Sequence, residues 1–246
     1  MKEKKLGVFK LKKKLAMLML VVPVLVLFVL VGCGSDEPAA GGNAQEEEAT
    51  EVPVVTEAED EVIEAVPGGP LFIDIDLREV DEDNPLVEFY IEDHGLIVIE
   101  LFPEYAPITV ENFISLIEDG FYDGLTFHRI IAGFMMQGGC PEGSGFSGSG
   151  EQIIGEFADN GIENPIRHRP GVLSMARAAD FNGASSQFFI MDGYAPHLDG
   201  VHAAFGRVVD GMDVVESVID NVVPIDGNGS IDPEDQPVIR EARVVH

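Results

Sequence analysis

From residue 86 onward the chain is cut into eight short apolar or alternating runs: 86-LVEFYIED-93, 95-GLIVIELF-102, 125-LTFHRI-130, 133-GFMMQG-138, 171-GVLSMA-176, 186-SQFFIM-191, 203-AAFGRVV-209 and 237-PVIREARVVH-246. Glycine-rich and Asp/Asn-rich turns separate them, and the His94-Gly95 step suits a tight hairpin. Only two stretches change period. In 107-PITVENFISLIEDG-120 the residues Val110, Phe113, Ile114 and Ile117 fall at i, i+3, i+4 and i+7, which marks one buried helix face, with Thr109 as N-cap and Gly120 as stop. The second, 212-MDVVESVID-220, buries Val215, Val218 and Ile219. Many short strands with two helices predict a mainly β domain, a closed eight-stranded antiparallel β-barrel capped by two α-helices. Closure removes the edges that such strands would otherwise expose.

The run 127-FHRIIAGFMMQGG-139 sets Arg129 among apolar residues, where an uncompensated charge is costly. Strand alternation turns Arg129 to the face opposite His128 and lets it lie on the outside of the barrel. On that reading His128 is structural, His94 is a turn residue and His168 is a surface loop residue.

Four motifs go beyond pattern. The run 127–139, 172-VLSMARA-178, 185-SSQFFI-190 and 198-LDGVHAAFGRV-208 resemble the cyclophilin family of prolyl cis/trans isomerases, in the family's order and near its spacing, over about residues 84 to 246. The resemblance implies a groove on the barrel's outer face. It places Arg129 at the catalytic arginine position, with Phe134 and Gln137 beside it. Phe134, Met135, Phe189 and Leu198 would line the pocket for the proline ring. Ala176, Arg177 and Ala178 would form the rim that meets the substrate backbone. Gln187 and His202 would complete the groove, and Gly148 would border a pocket for residues before the proline. Two positions depart from the family: His197 stands where a tryptophan is frequent, which is expected to weaken cyclosporin binding, and Arg177 stands where many members have asparagine.

The chemistry fits these residue types. An amide is planar because its nitrogen shares electrons with the carbonyl, and rotation costs about 18–20 kcal/mol. At the twisted transition state the prolyl nitrogen becomes pyramidal and basic. A donor aimed at it binds the twisted form better than either planar form. Arginine offers a fixed, permanently protonated fork of donors. No cofactor, nucleophile or metal is called for. The partners expected are proline-containing polypeptides, met by a monomer. The alternative is a proline-peptide binding module or chaperone without required turnover.

Charge and the N-terminus set the location. Seven of the 15 basic residues are lysines within the first 14 positions; after them come only eight arginines, against a chain total of 44 acidic residues. Such acidity excludes nucleic acid as a partner, since phosphate binding needs basic patches. Residues 1–32 have a signal-peptide layout: a lysine-rich start, an apolar run over 15–31, then small residues. Leu30-Val31-Gly32-Cys33 resembles the bacterial lipobox, so Cys33 is the expected lipidation site. An uncleaved membrane anchor is the other reading of that apolar run. Either way the remainder faces outward, which predicts an extracytoplasmic domain, lipid-anchored to the cell membrane. Residues 33–70, rich in Glu, Ala, Pro and Gly, predict a disordered acidic tether, and 71–246 the isomerase domain. Cys140 is then the one thiol left, read as a small residue without chemistry. The loop 226-DGNGSIDPED-235 has oxygen-bearing residues at alternate positions, as calcium loops do, but lacks the glycine and the final glutamate. It is read as a solvated turn.

Overall fold

The structure is a computed structural model, which describes residues 72–75 and 80–245. The signal peptide of 1–32, lipidation at Cys33 and the tether of 33–70 lie outside the described residues.

The strands fall where alternation and turn residues put them. They are β1 (Leu86–Ile91), β2 (Gly95–Leu101), β3 (Thr126–Ile131), β4 (Met135–Cys140), β5 (Val172–Arg177), β6 (Ala184–Met191), β7 (Ala204–Asp210) and β8 (Ile239–Val245), with α1 (Pro107–Glu118) and α2 (Met212–Asn221) between them. All pairs are antiparallel, in the order β3-β4-β6-β5-β7-β2-β1-β8.

The expected closure into a full barrel is not what forms. The sheet curls, but its outer strands β3 and β8 share no ladder. They meet at one end only, through a bridge between Thr126 and Val238. β8 is committed to β1. The free edge of β3 is covered instead by the irregular segment 228–238: the Ile130 N–H donates to the Gly229 carbonyl, the Ile231 N–H to His128, and the Phe127 N–H to Pro237. Pro233 and Pro237 have no N–H, so this segment cannot continue a regular ladder. The edge is satisfied without a ninth strand.

The concave face is filled with aromatic rings. Phe89, Phe113, Tyr122, Phe127, Phe188 and Phe205 are fully buried, with centroids from 5.0 Å (Phe113–Phe205) to 6.1 Å (Phe89–Tyr122) apart. Tyr122 donates its hydroxyl to the Ser186 carbonyl at 3.0 Å, so its one polar atom is paired. α1 adds Val110, Phe113 and Ile117, and α2 adds Val215, Val218 and Ile219, to the same core. The start of α1 differs from the sequence reading. Thr109 is inside the helix, and Ala106 is the N-cap without a side-chain bond. The exposed helix donors are met by Glu156, whose carboxylate accepts from the N–H groups of Ile108 (3.0 Å) and Thr109 (2.8 Å) and from the Thr109 hydroxyl (2.7 Å). A carboxylate at this end also suits the helix dipole.

Before β1, Ile73 forms a parallel bridge with Ile166. Asp74 pairs with Arg169 at 2.5 Å and Arg167 at 3.8 Å. This stretch therefore packs on the domain without joining the curled sheet.

Candidate active site

A second apolar cluster lies on the other side of the sheet. It joins Phe102, Met135, Ile166, Val172, Phe189, Met191, Ala195, Leu198 and Ala204, with Phe134 and Ala176 packed against it. Strand alternation makes it. On β4, Met136 faces the aromatic core while Met135 and Gln137 share the outer side; on β6, Phe188 goes inward and Phe189 outward. Register then aligns one row across three strands: Arg129 on β3 pairs with Gln137 on β4, and Gln137 with Phe189 on β6.

The row borders a hollow of about 240 Å³ lined by Arg129, Phe134, Met135, Gln137, Ala176, Arg177, Phe189, Leu198 and His202. These are nine of the residues proposed from sequence. The other three, Gly148, Ala178 and Gln187, line an adjoining hollow of about 650 Å³, which shares Gln137, Ala176 and Arg177 with the first. A Cβ at Gly148 would meet the Ser185 hydroxyl, which would have to rotate away.

Arg129 is half-buried and held from two sides. Its Nε donates to the Asn228 carbonyl at 2.8 Å, and Nη1 to Gln137 Oε1 at 3.3 Å. Nη2 takes no partner among the described residues. Gln137 is itself fixed: its amide donates to Gln187 Oε1 at 2.9 Å, and the Gln187 amide donates to the carbonyls of Gly145 (3.0 Å) and Ser147 (2.7 Å). Partial burial lowers the Arg129 pKa from its ordinary value and the nearby Asp226 carboxylate acts against that shift; so strong a base stays cationic.

Phe134 stacks on His197, with ring centroids 5.8 Å apart. Arg177, which borders both hollows, has its guanidinium held by neighbouring groups. Its Nε and Nη2 donate to the Val201 carbonyl, Nη1 donates to the Ala178 carbonyl, and its guanidinium lies over the rings of Phe157 and Phe181, at 5.1 and 5.0 Å from their centroids. The backbone of 176–178 is left to form the rim.

His94 lies in the turn between β1 and β2 and His202 lines the hollow, as the sequence suggested, but two other histidines depart from that reading. His168 is not on the surface but fully buried. Its Nδ1 lies 3.0 Å from Asp199 and its Nε2 2.8 Å from Ser174 Oγ, beneath a stacked Phe189 ring. Alternation also fails at His128. The register slips between Phe127 and Arg129, so Phe127 points into the core and His128 sits beside Arg129 in a third hollow of about 350 Å³. Neither ring nitrogen of His128 has a partner among the described residues. Burial, with Arg129 adding to it, pushes the His128 pKa down to about 4. His202 is likewise pushed down to about 4, by burial first and then by Arg177, His168 and His197. Cys140 is buried, which pushes its thiol up, but hydrogen bonds from Ser147, Glu142 and Gly145 outweigh this and bring it to about 6.

Two features escaped the sequence reading. One is the Asn228 carbonyl behind Arg129. The other is Phe146, 96% exposed at the shared lip of two hollows. An isolated aromatic in a glycine-rich loop carries no periodicity that would mark it.

A curled sheet of eight antiparallel strands, two helices on its core and an arginine–glutamine pair over an aromatic hollow on its outer face define a cyclophilin-like domain. The family model "Cyclophilin type peptidyl-prolyl cis-trans isomerase/CLD" matches residues 86–244, and the chain belongs to that family. Peptidyl-prolyl cis-trans isomerase B of Bacillus subtilis is 49% identical over 130 residues, covering 53% of this chain and 87% of its own. A peptidyl-prolyl cis-trans isomerase of Synechococcus elongatus is 53% identical over 116 residues, covering 47% and 75%. Among solved structures, a Cryptosporidium parvum cyclophilin type isomerase superposes with a TM-score of 0.58 at 30% identity, over 66% of this chain and 98% of that one. A structure of the same protein in the presence of the dipeptide Ala-Pro matches equally, at 29% identity over 65% and 99%. The chain is a peptidyl-prolyl cis-trans isomerase.

Proposed function

We propose that Arg129, Phe134 and Gln137 carry the isomerisation, and that the enzyme works on X-Pro bonds of exported polypeptides from a lipid anchor at Cys33. The observation that carries the catalytic part is the clamped guanidinium of Arg129 at the edge of the apolar hollow. The proline ring of a client fits between Phe134, Met135, Phe189 and Leu198, where burial of its carbons contributes about 25 cal/mol per Å². With the ring held, the preceding carbonyl rotates along the rim of Ala176, Arg177 and Ala178. As the amide twists, its nitrogen gains the lone pair that resonance had withdrawn. A guanidinium N–H meets that lone pair only in the twisted form, so the contact lowers the barrier without tightening the ground state. A thousandfold acceleration corresponds to about 4 kcal/mol, within the reach of a charge-assisted hydrogen bond in a partly dry site.

The protease-coupled isomerisation assay tests this. Arg129→Ala is expected to cost about 10²–10³ in kcat/KM, the range for removing one charge-stabilising donor. Wild-type rates in this variant would leave a proline-peptide binding module as the better reading. The location rests on the lysine-rich start, the apolar run and Leu30-Val31-Gly32-Cys33. Membrane fractionation of the full chain tests it: Cys33→Ala should abolish lipid labelling, and unchanged labelling refutes the anchor.

A further inference from the structure

The loop of 226–230, whose oxygen side chains resemble a calcium site, uses them on itself. Asp226 Oδ1 accepts from the N–H groups of Asn228 (2.9 Å) and Ser230 (3.0 Å), and Oδ2 accepts from the Ser230 hydroxyl (2.9 Å). The Ile225 N–H donates to the Ser230 carbonyl at 2.8 Å, closing the loop at its neck. Gly229 then lies against β3 at φ +83°, where a Cβ would come within 2.4 Å of Ile131 and 2.5 Å of the Ile130 carbonyl. Main-chain bonds fix the loop to β3 on both sides of Arg129, from Ile130 to Gly229 and from Ile231 to His128. The result is one carbonyl, that of Asn228, aimed at Arg129 Nε.

We propose that Asp226 is a positioning residue for isomerisation. By closing this loop it fixes the Asn228 carbonyl, which with Gln137 sets the plane of the Arg129 guanidinium. Two holders on Nε and Nη1 stop the long side chain from swinging about its own bonds. They leave Nη2 as the edge that meets the substrate. Without Asp226 the loop loses its internal acceptor, the carbonyl wanders, and the donor samples orientations that miss the prolyl nitrogen. Holding a reacting group in place is itself a large part of catalysis.

This inference rests on Arg129 being the donor, and the test separates the two. Asp226→Ala should lower kcat by about three- to tenfold, less than loss of the donor itself. KM for a short X-Pro peptide should stay within about twofold, because the hollow that holds the ring is untouched. Asp226→Asn keeps an oxygen for the same N–H groups and should recover most of the rate. In an Arg129→Lys background, which has no Nε to hold, Asp226→Ala should have no further effect. A readout apart from activity is the exchange of the Arg129 Nε–H with water by NMR, which Asp226→Ala should speed and Asp226→Asn should largely restore. If Arg129→Ala retains wild-type rate, the catalytic reading falls. If Arg129→Ala is inactive while Asp226→Ala leaves kcat and Nε–H exchange unchanged, only the positioning role falls. A raised KM at constant kcat, or an undiminished effect of Asp226→Ala in Arg129→Lys, overturns it as well.

Discussion

Phe188 and Phe189 are neighbours in the chain and both are buried, at 0% and 5% exposure, yet they belong to different parts of the molecule. Phe188 points into the concave face and meets the rings of Phe89, Phe113, Tyr122 and Phe127 within 5.9 Å. Phe189 points outward, against the imidazoles of His168 and His202, and forms one wall of the 240 Å³ hollow. Burial alone therefore does not separate core from site. What separates them is what lies on the other side of each ring: more ring carbons in one case, an open hollow edged by Arg129 and Gln137 in the other. The largest effect expected from this contrast is on stability. Phe188→Ala should cost about 3–5 kcal/mol of unfolding free energy, because four aromatic neighbours cannot collapse into the void. The molecules that remain folded should keep their turnover. Denaturant unfolding paired with active-site-normalised rates would show it; loss of turnover per folded molecule would mean the two faces are not separate.

The second test uses a polar group on the outer side. His128 is buried without a hydrogen-bond partner among the described residues, and its pKa is pushed down to about 4. The folded pKa is thus below the unfolded one, so as pH falls the unfolded chain takes up the proton first. Stability from a neutral His128 is complete above about pH 6.5 and is lost as pH falls toward 4, by on the order of 3 kcal/mol. His128→Leu removes this group and leaves every carboxylate in place. The wild type should lose correspondingly more stability than the variant between pH 7 and pH 4; parallel curves would show that the imidazole titrates normally.

The third effect falls on activity. Phe189→Ala should reduce kcat/KM at least about tenfold by removing a wall of the hollow, with a smaller stability loss than Phe188→Ala, since one face of the ring already fronts open space. If the two variants lost equal stability and equal activity, the distinction between the faces would disappear.

How much of this could be read from residues alone follows from what periodicity encodes. Alternation tells which way a side chain points relative to its neighbours, so the strands and the buried face of α2 were legible, while Gln137 and Phe189 were set beside Arg129 only by the resemblance. It does not tell what a distant loop brings across. The segment 228–238 that covers β3, the Glu156 carboxylate that serves α1 from 47 residues away and the Asp199 that holds His168 are contacts of that kind. A single register slip also inverted the reading of His128. Charge in apolar surroundings was likewise assigned to one place only. Arg129 is half-exposed, whereas Arg207, which raised no question in sequence, is 2% exposed and paired with the equally buried Glu100 at 2.8 Å. A paired buried charge and an unpaired surface one look the same in a string of letters, because the partner is 107 residues away.

The smallest expected effect concerns Phe146. Its backbone is held on both sides, since the Gln187 amide takes the carbonyls of Gly145 and Ser147, while its ring stands 96% exposed beside the 650 Å³ hollow. An exposed ring on a fixed backbone has little order left to lose when an apolar surface settles on it. A client with a large apolar residue before its X-Pro pair would bring such a surface to this lip. Covering some tens of Å² at about 25 cal/mol per Å² corresponds to roughly a two- to threefold change in affinity. Phe146→Ala should therefore raise KM by about that factor for such a peptide and not for its alanine counterpart, with kcat unchanged. Unfolding free energy should stay within about 0.5 kcal/mol, because the ring makes almost no contacts to lose. Equal KM values for both peptides in both proteins would assign the ring to solvent alone, and the outer face would then end at Gln187.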